Sequence, residues 1–292
     1  MEFLFSVFTP TYNRANTIGR TYEYLCKQTL RSFEWIIVDD GSTDNTEEIV
    51  QKWINTNKIS IVYLKQENGG KHRAFNRAVQ IAKGEIFICL DSDDYYIETA
   101  LEIIYSYHLI HKDNPWIAGF SCNSLDLHGN LIGTSLPVDE LVVSHYNLYN
   151  SLSVKGDKGL IYYTRILKEY PFPEFENEFF VTEALVLNRI SLRYKICCIK
   201  RSLEIKDYQR DGLSSKYRHL CLRNPNGYAL YINERNYFNL SFTNYVINAA
   251  SYVRYSLFAG KSFRNIYKEA INRRWTFIIA SVSYTHLRAH ET

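Results

Sequence analysis

The sequence predicts an α/β fold with a mainly parallel sheet, flanking helices and a C-terminal helical extension. Two observations carry this prediction. Within residues 1–125, short runs of strand-forming residues alternate with segments of helical periodicity, as in a parallel sheet with crossover helices. From residue 216 onward, the apolar residues recur at helical spacing only. The chain has 292 residues, enough for a large hydrophobic core.

The first half of the chain supplies the strands and helices of this sheet in order. Each predicted strand is short and apolar, and each predicted helix has one apolar face. We predict strands at Phe3–Thr9, Glu34–Asp39, Ile59–Leu64 and Glu85–Leu90, and helices at Asn16–Gln28, after the capping residues Ser42–Asp44, and at Ala74–Ala82.

The second half is less regular. We predict a strand at Trp116–Leu125, a strand and helix within Leu160–Glu169, a helix at Thr182–Tyr194, a strand at Ile196–Tyr208 and a helix at Ser262–Arg274. We expect a principal domain at 1–215 and a helical extension at 216–282. Residues 283–292 resemble the translated tail of a truncated reading frame and are set aside as non-native; a genuine polar tail is the alternative.

Composition excludes several classes of protein. A balance of 34 basic and 31 acidic side chains gives a net charge of +3, which does not favour nucleic-acid binding. No apolar run reaches the ~20 residues that span a membrane. The six cysteines form no CxxC pair, and the chain enters a strand without a secretory signal pattern, so we expect reduced thiols and a cytoplasmic protein.

Three carboxylates, those of Asp91, Asp93 and Asp94, follow the fourth predicted strand directly. Like charges this close repel each other, so they need a cation or a dense set of hydrogen-bond donors. Hard oxygen ligands at the carboxyl end of a strand suit a divalent metal that holds a diphosphate. The alternative is that they cap a helix over Tyr95–His108.

The polar segments after the other strands fall at the same edge. They begin at Thr9, Asp39 and Glu67, and the last contains Gly69-Gly70-Lys71. In open α/β sheets the ligand lies outside the carboxyl ends of the strands. The sequence therefore predicts one binding site along this edge. There, the backbone N–H groups of the two glycines would be free for an anion, assisted by the charge of Lys71.

These motifs together resemble a family 2 glycosyltransferase with the GT-A fold, of the type that builds bacterial cell-surface polysaccharides. The matching segments are Pro10-Thr11-Tyr12-Asn13-Arg14, Val38–Asp44 and Asp91-Ser92-Asp93-Asp94. The resemblance implies a nucleotide-binding half at 1–125 and an acceptor-binding half at 126–215. It covers about residues 3–215, and it indicates nucleotide-sugar binding without indicating which sugar.

The resemblance implies a role for each motif. Tyr12 would stack on the base, with core packing as the alternative. Asp40, or Asp39 beside it, would accept from the uracil N–H, with a turn-forming role before glycine as the alternative. Asp91 and Asp93 would form a DXD-type motif, in which Asp93 faces the ribose or the metal, and Asp94 would reach the Mn²⁺ or Mg²⁺ on the diphosphate. The full set of donor-binding residues is Pro10, Thr11, Tyr12, Arg14, Asp39, Asp40, Lys71, Asp91, Ser92 and Asp93.

For the acceptor side, the resemblance indicates Glu183 as the catalytic base, at the start of a helix. Glu178 and Glu174 are rivals, since relatives often carry Glu-Asp where this chain has Thr182-Glu183-Ala184. Asp157 and Lys158 resemble an acceptor-contacting loop. Arg210, Asp211 and Ser214 resemble a flexible loop that closes over the donor phosphates.

These features predict a metal-dependent inverting glycosyltransferase, of the hexosyltransferase type. It would move sugar from a UDP-sugar to a glycan or lipid-linked glycan acceptor in surface polysaccharide biosynthesis. The alternatives are an inactive nucleotide-sugar-binding protein and a sugar nucleotidyltransferase; the latter would carry a glycine-rich basic loop after the first strand. Basic and aromatic residues in 262–279 suggest peripheral contact with the cytoplasmic membrane leaflet, although an ordinary packed helix has the same composition.

Overall fold

The computed structural model describes residues 3–208 and 216–278. The chain divides into two compact units. The first comprises residues 1–172 and 189–212, and the second comprises residues 173–188 and 213–292. Residues 173–188 thus group with the C-terminal helices, whereas the sequence placed them in the acceptor-binding half. The predicted domain boundaries stay a prediction.

The first unit contains the strands and the first six helices. The strands are β1 (Phe5–Thr11), β2 (Phe33–Asp39), β3 (Ser60–Lys65), β4 (Ile86–Cys89), β5 (Tyr95–Tyr96), β6 (Ile117–Asp126), β7 (Val142–Val143), β8 (Gly159–Tyr163) and β9 (Lys195–Lys206). The helices are α1 (Ile18–Cys26), α2 (Thr46–Thr56), α3 (Lys71–Ile81), α4 (Ala100–His111), α5 (His145–Asn150) and α6 (Thr164–Glu169).

Within the described residues, nine strands form one sheet in the order β3-β2-β1-β4-β8-β6-β9-β5, with β7 paired to β9. Strands β3, β2, β1 and β4 are parallel neighbours. Strand β8 runs antiparallel between β4 and β6, and β9 lies parallel to β6. Every residue of β2 is buried, as expected for a central strand covered by helices on both faces. The predicted α/β fold with flanking helices is confirmed.

The second unit is helical in its described part. It contains most of α7 (Glu183–Ser191), then α8 (Tyr217–Arg223), α9 (Pro225–Glu234), α10 (Phe242–Phe258) and α11 (Phe263–Glu269), with a short 3₁₀ turn at Arg235–Tyr237. A core of Ala229, Ile232, Tyr252, Val253, Ile266 and Ala270 joins α9, α10 and α11. The predicted C-terminal helices are therefore present. No helix among the described residues is both long and apolar enough to span a bilayer.

Several predicted boundaries differ from the structure. The helix expected at Tyr95 begins at Ala100, because Tyr95 and Tyr96 pair with β9 as a short strand. Helix α3 begins at Lys71, three residues before the predicted start. The helix predicted over Ser262–Arg274 ends at Glu269 in α11. Strand β7 and helix α5 had no sequence prediction, since each is too short for periodicity to reveal it.

Candidate functional site

The carboxyl ends of β1, β2 and β3 meet at one edge of the first unit's sheet. Their register places Thr11 opposite Asp39 and Asp39 opposite Lys65. Strand β4 runs parallel to β1 on its other side, and the acidic segment follows it. The predicted convergence of the polar segments is therefore confirmed.

Asn13 joins the loops that follow β1 and β2. Its backbone has a positive φ of 51°, a conformation that asparagine tolerates better than most residues. Its N–H donates to Ser42 Oγ at 2.9 Å, and its Oδ1 accepts from the Thr43 N–H at 2.8 Å. Pro10 and Thr11 lie at the end of β1, and the next ring, that of Tyr12, is 48% exposed. The alternative of core packing for Tyr12 is therefore wrong.

The carboxylate of Asp39 lies inside the protein and stabilises the turn after β2. Its Oδ1 accepts from the Ser42 N–H at 2.7 Å, and its Oδ2 accepts from the Tyr63 hydroxyl at 2.6 Å. Burial, together with this hydrogen bond to Asp39, raises the pKa of Tyr63 well above its ordinary value. Both oxygens of Asp39 therefore have structural partners, which favours the turn-forming role over base recognition.

Asp40 connects the end of β2 to the start of α3. Its carboxylate accepts from Gln66 Nε2 at 2.6 Å and from the N–H groups of Gly69 and Gly70, each at 2.8 Å. The expectation that these two N–H groups are free for an anion is therefore wrong. Gly70, the N-cap residue of α3, has a φ of 93°, which glycine adopts without strain. The contact between Asp40 and a base stays a prediction.

Lys71 and Asp91 form an ion pair between α3 and the segment after β4, with Nζ 2.6 Å from Oδ1. Burial acts to raise the pKa of Asp91, but the ammonium groups of Lys71 and Lys206 overcome it and hold that pKa below its ordinary value. The charge of Arg14 acts on Asp91 in the same direction. Three predicted donor-binding residues therefore come together at this edge.

Asp93 and Asp94 differ in their surroundings although they are adjacent. Asp93 is half-buried, and burial followed by the negative charge of Asp91 raises its pKa. Asp94 is only 5% exposed; its Oδ2 accepts from Lys206 Nζ at 2.9 Å and its Oδ1 from the Asp207 N–H at 3.0 Å. Burial raises the pKa of Asp94 to about 7, although Lys206 opposes that shift.

The helix-capping alternative for this acidic cluster is wrong. Helix α4 begins at Ala100 with Thr99 as its N-cap residue, and β5 separates it from the carboxylates. Ser92 is buried between Asp91 and Asp93. The cluster therefore needs another explanation than helix capping.

The acidic cluster offers a limited set of donors for a metal ion. No group of three or more His, Cys, Asp or Glu side chains that could hold an ion is found in residues 3–208 and 216–278. Asp93 presents a half-buried carboxylate, whereas both oxygens of Asp94 already accept hydrogen bonds. The residues therefore fit an ion that takes one protein carboxylate and completes its shell with substrate oxygens, as Mg²⁺ often does. The role of Asp94 as a ligand stays a prediction that this geometry does not favour.

The loop before β8 holds the residues predicted to contact an acceptor. Lys158 is buried, and its Nζ donates to the carbonyls of Ile132, Lys155 and Asp157 at 2.8, 3.2 and 3.3 Å. Its ammonium therefore stabilises the loop from inside. Asp157 is exposed and accepts from the Tyr208 hydroxyl at 2.8 Å. Arg210, Asp211 and Ser214 lie outside the described residues.

The second unit holds the candidate bases. Glu183 is half-buried in the first turn of α7. Glu178 is 3% exposed and caps α9, accepting from the N–H groups of Asn226 and Gly227 at 2.7 and 2.9 Å. Glu174 is exposed. Glu178 is thus committed to a structural role, which favours Glu183 over this rival.

Three residues that contact the acidic turn or its neighbours were not found by sequence reasoning: Arg20, Glu204 and Lys206. Glu204 and Lys206 carried a signal, since opposite charges at i and i+2 lie on the same face of a strand. Arg20 pairs with Asp207, far away in sequence, so no local pattern could reveal that contact.

The comparison with protein families identifies one domain. Residues 6–125 match the sequence model of Glycosyl transferase family 2. Glycosyltransferase GlyG of Streptococcus pneumoniae is 35% identical over 149 residues, which cover 49% of this chain and 48% of GlyG. The poly(ribitol-phosphate) beta-N-acetylglucosaminyltransferase TarS of Staphylococcus aureus is 32% identical over 200 residues, 64% of this chain and 34% of TarS. The chain thus spans about half or less of the length of these curated relatives.

Solved structures support the fold. The crystal structure of S. aureus TarS 1–349 in complex with UDP-GlcNAc has a TM-score of 0.61 at 20% identity, covering 91% of this chain and 84% of that one. The mannosyltransferase PcManGT from Pyrobaculum calidifontis, in complex with GDP-Man and Mn²⁺, has a TM-score of 0.55 at 16% identity, covering 97% and 80%. Residues 6–125 are thus similar to glycosyltransferase family 2, and the chain shares the fold of these solved structures.

Proposed function

We propose that this protein transfers a sugar from a UDP-sugar to a glycan or lipid-linked glycan acceptor, with inversion, during synthesis of a bacterial surface polysaccharide. The observation that carries the proposal is the convergence of Tyr12, Asp40, Lys71, Asp91 and Asp93 at one edge of the sheet. The TarS structures with UDP-GlcNAc and with UDP support a uridine nucleotide as the donor class.

Each donor residue contributes according to its surroundings. The exposed ring of Tyr12 offers a flat surface on which a base stacks. Asp40 is held rigidly by the segment that leads into α3, so its position is set before a ligand arrives. Lys71 supplies positive charge near the diphosphate, and its pairing with Asp91 fixes its direction. Together they bind and orient the nucleotide.

Asp93 would hold Mn²⁺ or Mg²⁺, consistent with the Mn²⁺ present in the PcManGT complex. When bound, such an ion supplies Lewis-acid stabilisation of the charge that develops on the leaving diphosphate. Burial and the charge of Asp91 raise the pKa of Asp93, and a bound cation would oppose that shift.

Glu183 is the proposed base for acceptor activation. It would take the proton from the acceptor hydroxyl while that oxygen bonds to the anomeric carbon and the bond to the UDP oxygen breaks. Glu183 lies in the first turn of α7, where the helix dipole favours an acidic residue. This single displacement inverts the configuration at the anomeric carbon.

Two alternatives remain for the same site. A nucleotide-sugar-binding protein without catalysis would bind UDP but release none from a UDP-sugar. A sugar nucleotidyltransferase would use a glycine-rich basic loop after β1, whereas here that loop is Pro10–Arg14 and is braced by Asn13. The site therefore favours sugar transfer.

The test is release of UDP from UDP-Glc, UDP-Gal, UDP-GlcNAc and UDP-GalNAc, measured with Mn²⁺, with Mg²⁺ and with EDTA. We expect one donor to be turned over in a metal-dependent reaction. Binding of UDP without turnover of any donor, with or without added bacterial acceptor glycans, would favour the inactive binding protein. Absence of UDP binding would refute the proposal.

The proposed bases are separated by the same assay. Glu183→Gln should lower kcat by about 100-fold or more, within the range known for general base catalysis. Glu176→Gln is the matched control, since Glu176 lies exposed in the segment before α7. Equal activity of the two variants would exclude Glu183 as the base.

The cytoplasmic location and peripheral membrane contact also stay proposals. Tyr267 and Phe277 are 47% and 61% exposed, and Arg273 and Arg274 are exposed nearby in sequence. Aromatic and basic side chains together suit an anionic lipid surface. Flotation with liposomes that contain phosphatidylglycerol tests this, and failure to float with them would remove the membrane proposal.

A further inference from the structure

Lys206, the last residue of β9, places its ammonium group between two buried carboxylates. Its side chain is 12% exposed, and Nζ lies 2.9 Å from Asp94 Oδ2 and 3.2 Å from Glu204 Oε1. Glu204 is itself 1% exposed, and its Oε2 accepts from Ser124 Oγ at 2.7 Å. A single cation thus balances two interior acids.

The other contacts of Asp94 belong to the turn after β4. The Asp94 N–H donates to the Asp91 carbonyl at 3.0 Å, which closes the turn over Ser92 and Asp93. The Asp94 carbonyl accepts from Thr21 Oγ1 at 2.9 Å. Fixing Asp94 therefore fixes the backbone that presents Asp91 and Asp93.

A second contact ties the end of β9 to the same turn. The N–H of Asp207 donates to Asp94 Oδ1 at 3.0 Å, and the Asp207 carboxylate pairs with Arg20 on α1. The guanidinium of Arg20 also lies 5.6 Å from the centre of the Tyr95 ring, directly after the acidic turn. The turn is thus held from both β9 and α1.

We propose that Lys206 is a positioning residue for the donor site, and that it acts through Asp94 to hold the turn of Asp91 and Asp93 in its ligand-binding geometry. This rests on the proposed function, in which that turn binds the metal and diphosphate. Asp94 then forms a buried ion pair with Lys206, and its neighbour Asp93 is the carboxylate that faces the ligand.

The physical reason is the balance of charge. Without the ammonium, the salt bridges from Lys206 to Asp94 and to Glu204 would both be lost, and two buried carboxylates would face each other without this cation. Like charges repel each other more strongly in a buried site than in water, so the two side chains would move apart. The backbone of the turn would no longer be fixed.

The test compares Lys206→Met with Lys200→Met, a matched control because Lys200 is exposed on the same strand. Affinity for UDP is measured by calorimetry with MnCl₂ at several concentrations, alongside KM for the donor that wild type turns over. We expect Lys206→Met to weaken UDP binding, and raise the half-saturating Mn²⁺ concentration, by about 10- to 100-fold, as loss of an outer-shell partner does. The control should match wild type.

Two further variants keep the proposal testable. Lys206→Arg, which keeps the charge, should recover most of the affinity. If Lys206→Met does not fold, Lys206→Met with Asp94→Asn removes both members of the pair and should show the same weakened UDP and Mn²⁺ binding. A purely structural role would lower the folded fraction while leaving Kd and KM unchanged, and that result in either variant would overturn the proposal.

Failure of this inference is distinct from failure of the proposed function. If wild type binds UDP with Mn²⁺ and the Lys206 variants bind it equally well, only the positioning role is refuted. If wild type binds no UDP under any condition, the proposed function is refuted, and the positioning role falls with it.

Discussion

Glu178→Ala should loosen the start of α9 while leaving sugar transfer nearly unchanged. The Glu178 carboxylate accepts from the N–H groups of Asn226 and Gly227 and from Asn226 Nδ2, at 2.7, 2.9 and 3.0 Å. It is therefore a helix cap supplied from another segment of the second unit. Alanine leaves two backbone N–H groups without this acceptor at a helix end.

The magnitude follows from these contacts. Loss of a helix cap costs about 0.5–2 kcal/mol, and a hydrogen bond to a charged group contributes about 1.5–3 kcal/mol. Because Glu178 is 3% exposed, water does not readily replace its oxygens. The cap and the hydrogen bonds are the same interaction, so these two contributions are not added. We therefore expect Glu178→Ala to lower the free energy of local opening of α9 by about 2–3 kcal/mol.

Hydrogen exchange by mass spectrometry measures this directly. A loss of about 2–3 kcal/mol corresponds to roughly 30- to 150-fold faster exchange of the amides in residues 225–234. Glu176→Ala, in the same segment but exposed, should leave this exchange unchanged. In the UDP-release assay, kcat of Glu178→Ala should stay within about threefold of wild type, a change under 1 kcal/mol.

The opposite pattern would refute the reasoning. If α9 exchanged at the wild-type rate and kcat fell by about 100-fold, Glu178 would be acting as the base and not as a cap. Glu178→Gln gives a second test. Glutamine keeps one acceptor oxygen but places its NH₂ group against a backbone donor. The exchange rate of the α9 amides in Glu178→Gln should therefore lie between the rates in Glu178→Ala and in wild type.

The remaining predictions concern packing, pH and donor binding. Gly84→Ala should prevent correct folding, because the added Cβ would lie 2.3 Å from the Phe5 carbonyl carbon. In α1, by contrast, a Cβ added at Gly19 has no atom within 4 Å, so Gly19→Ala should raise the free energy of unfolding in urea by up to about 1 kcal/mol. Burial lowers the pKa of His108 from its ordinary value of 6.5, and Glu85 opposes that shift. Because the unfolded chain therefore binds this proton first, the free energy of unfolding should fall as the pH drops below 6.5. His108→Asn should flatten the dependence of that free energy on pH between about pH 5 and 7. Lys71→Met removes the partner 2.6 Å from Asp91 and should weaken UDP binding by about tenfold in calorimetry, whereas Lys65→Met, which breaks an exposed pair with Glu47, should not.

Much of the donor edge could be predicted from sequence because it follows from local patterns. Short apolar runs that end at Thr9, Asp39 and Leu90 identify the strands and their carboxyl ends, and parallel pairing brings those ends together. The exact partners could not be predicted in this way. Gly69 and Gly70 looked like an anion site, but Asp40, distant in sequence, takes their N–H groups.

The sequence by itself determined the α/β class, the order of strands along the chain, the common edge of the polar segments and the family 2 resemblance. These depend on periodicity and on motifs within a few residues of each other. Only the tertiary structure decided that β8 inserts antiparallel beside β4, that Glu178 caps α9, and that Lys206 and not solvent faces Asp94. Such contacts join residues far apart in the chain. The burial that makes ion pairs and hydrogen bonds between these residues necessary exists only once the chain has folded.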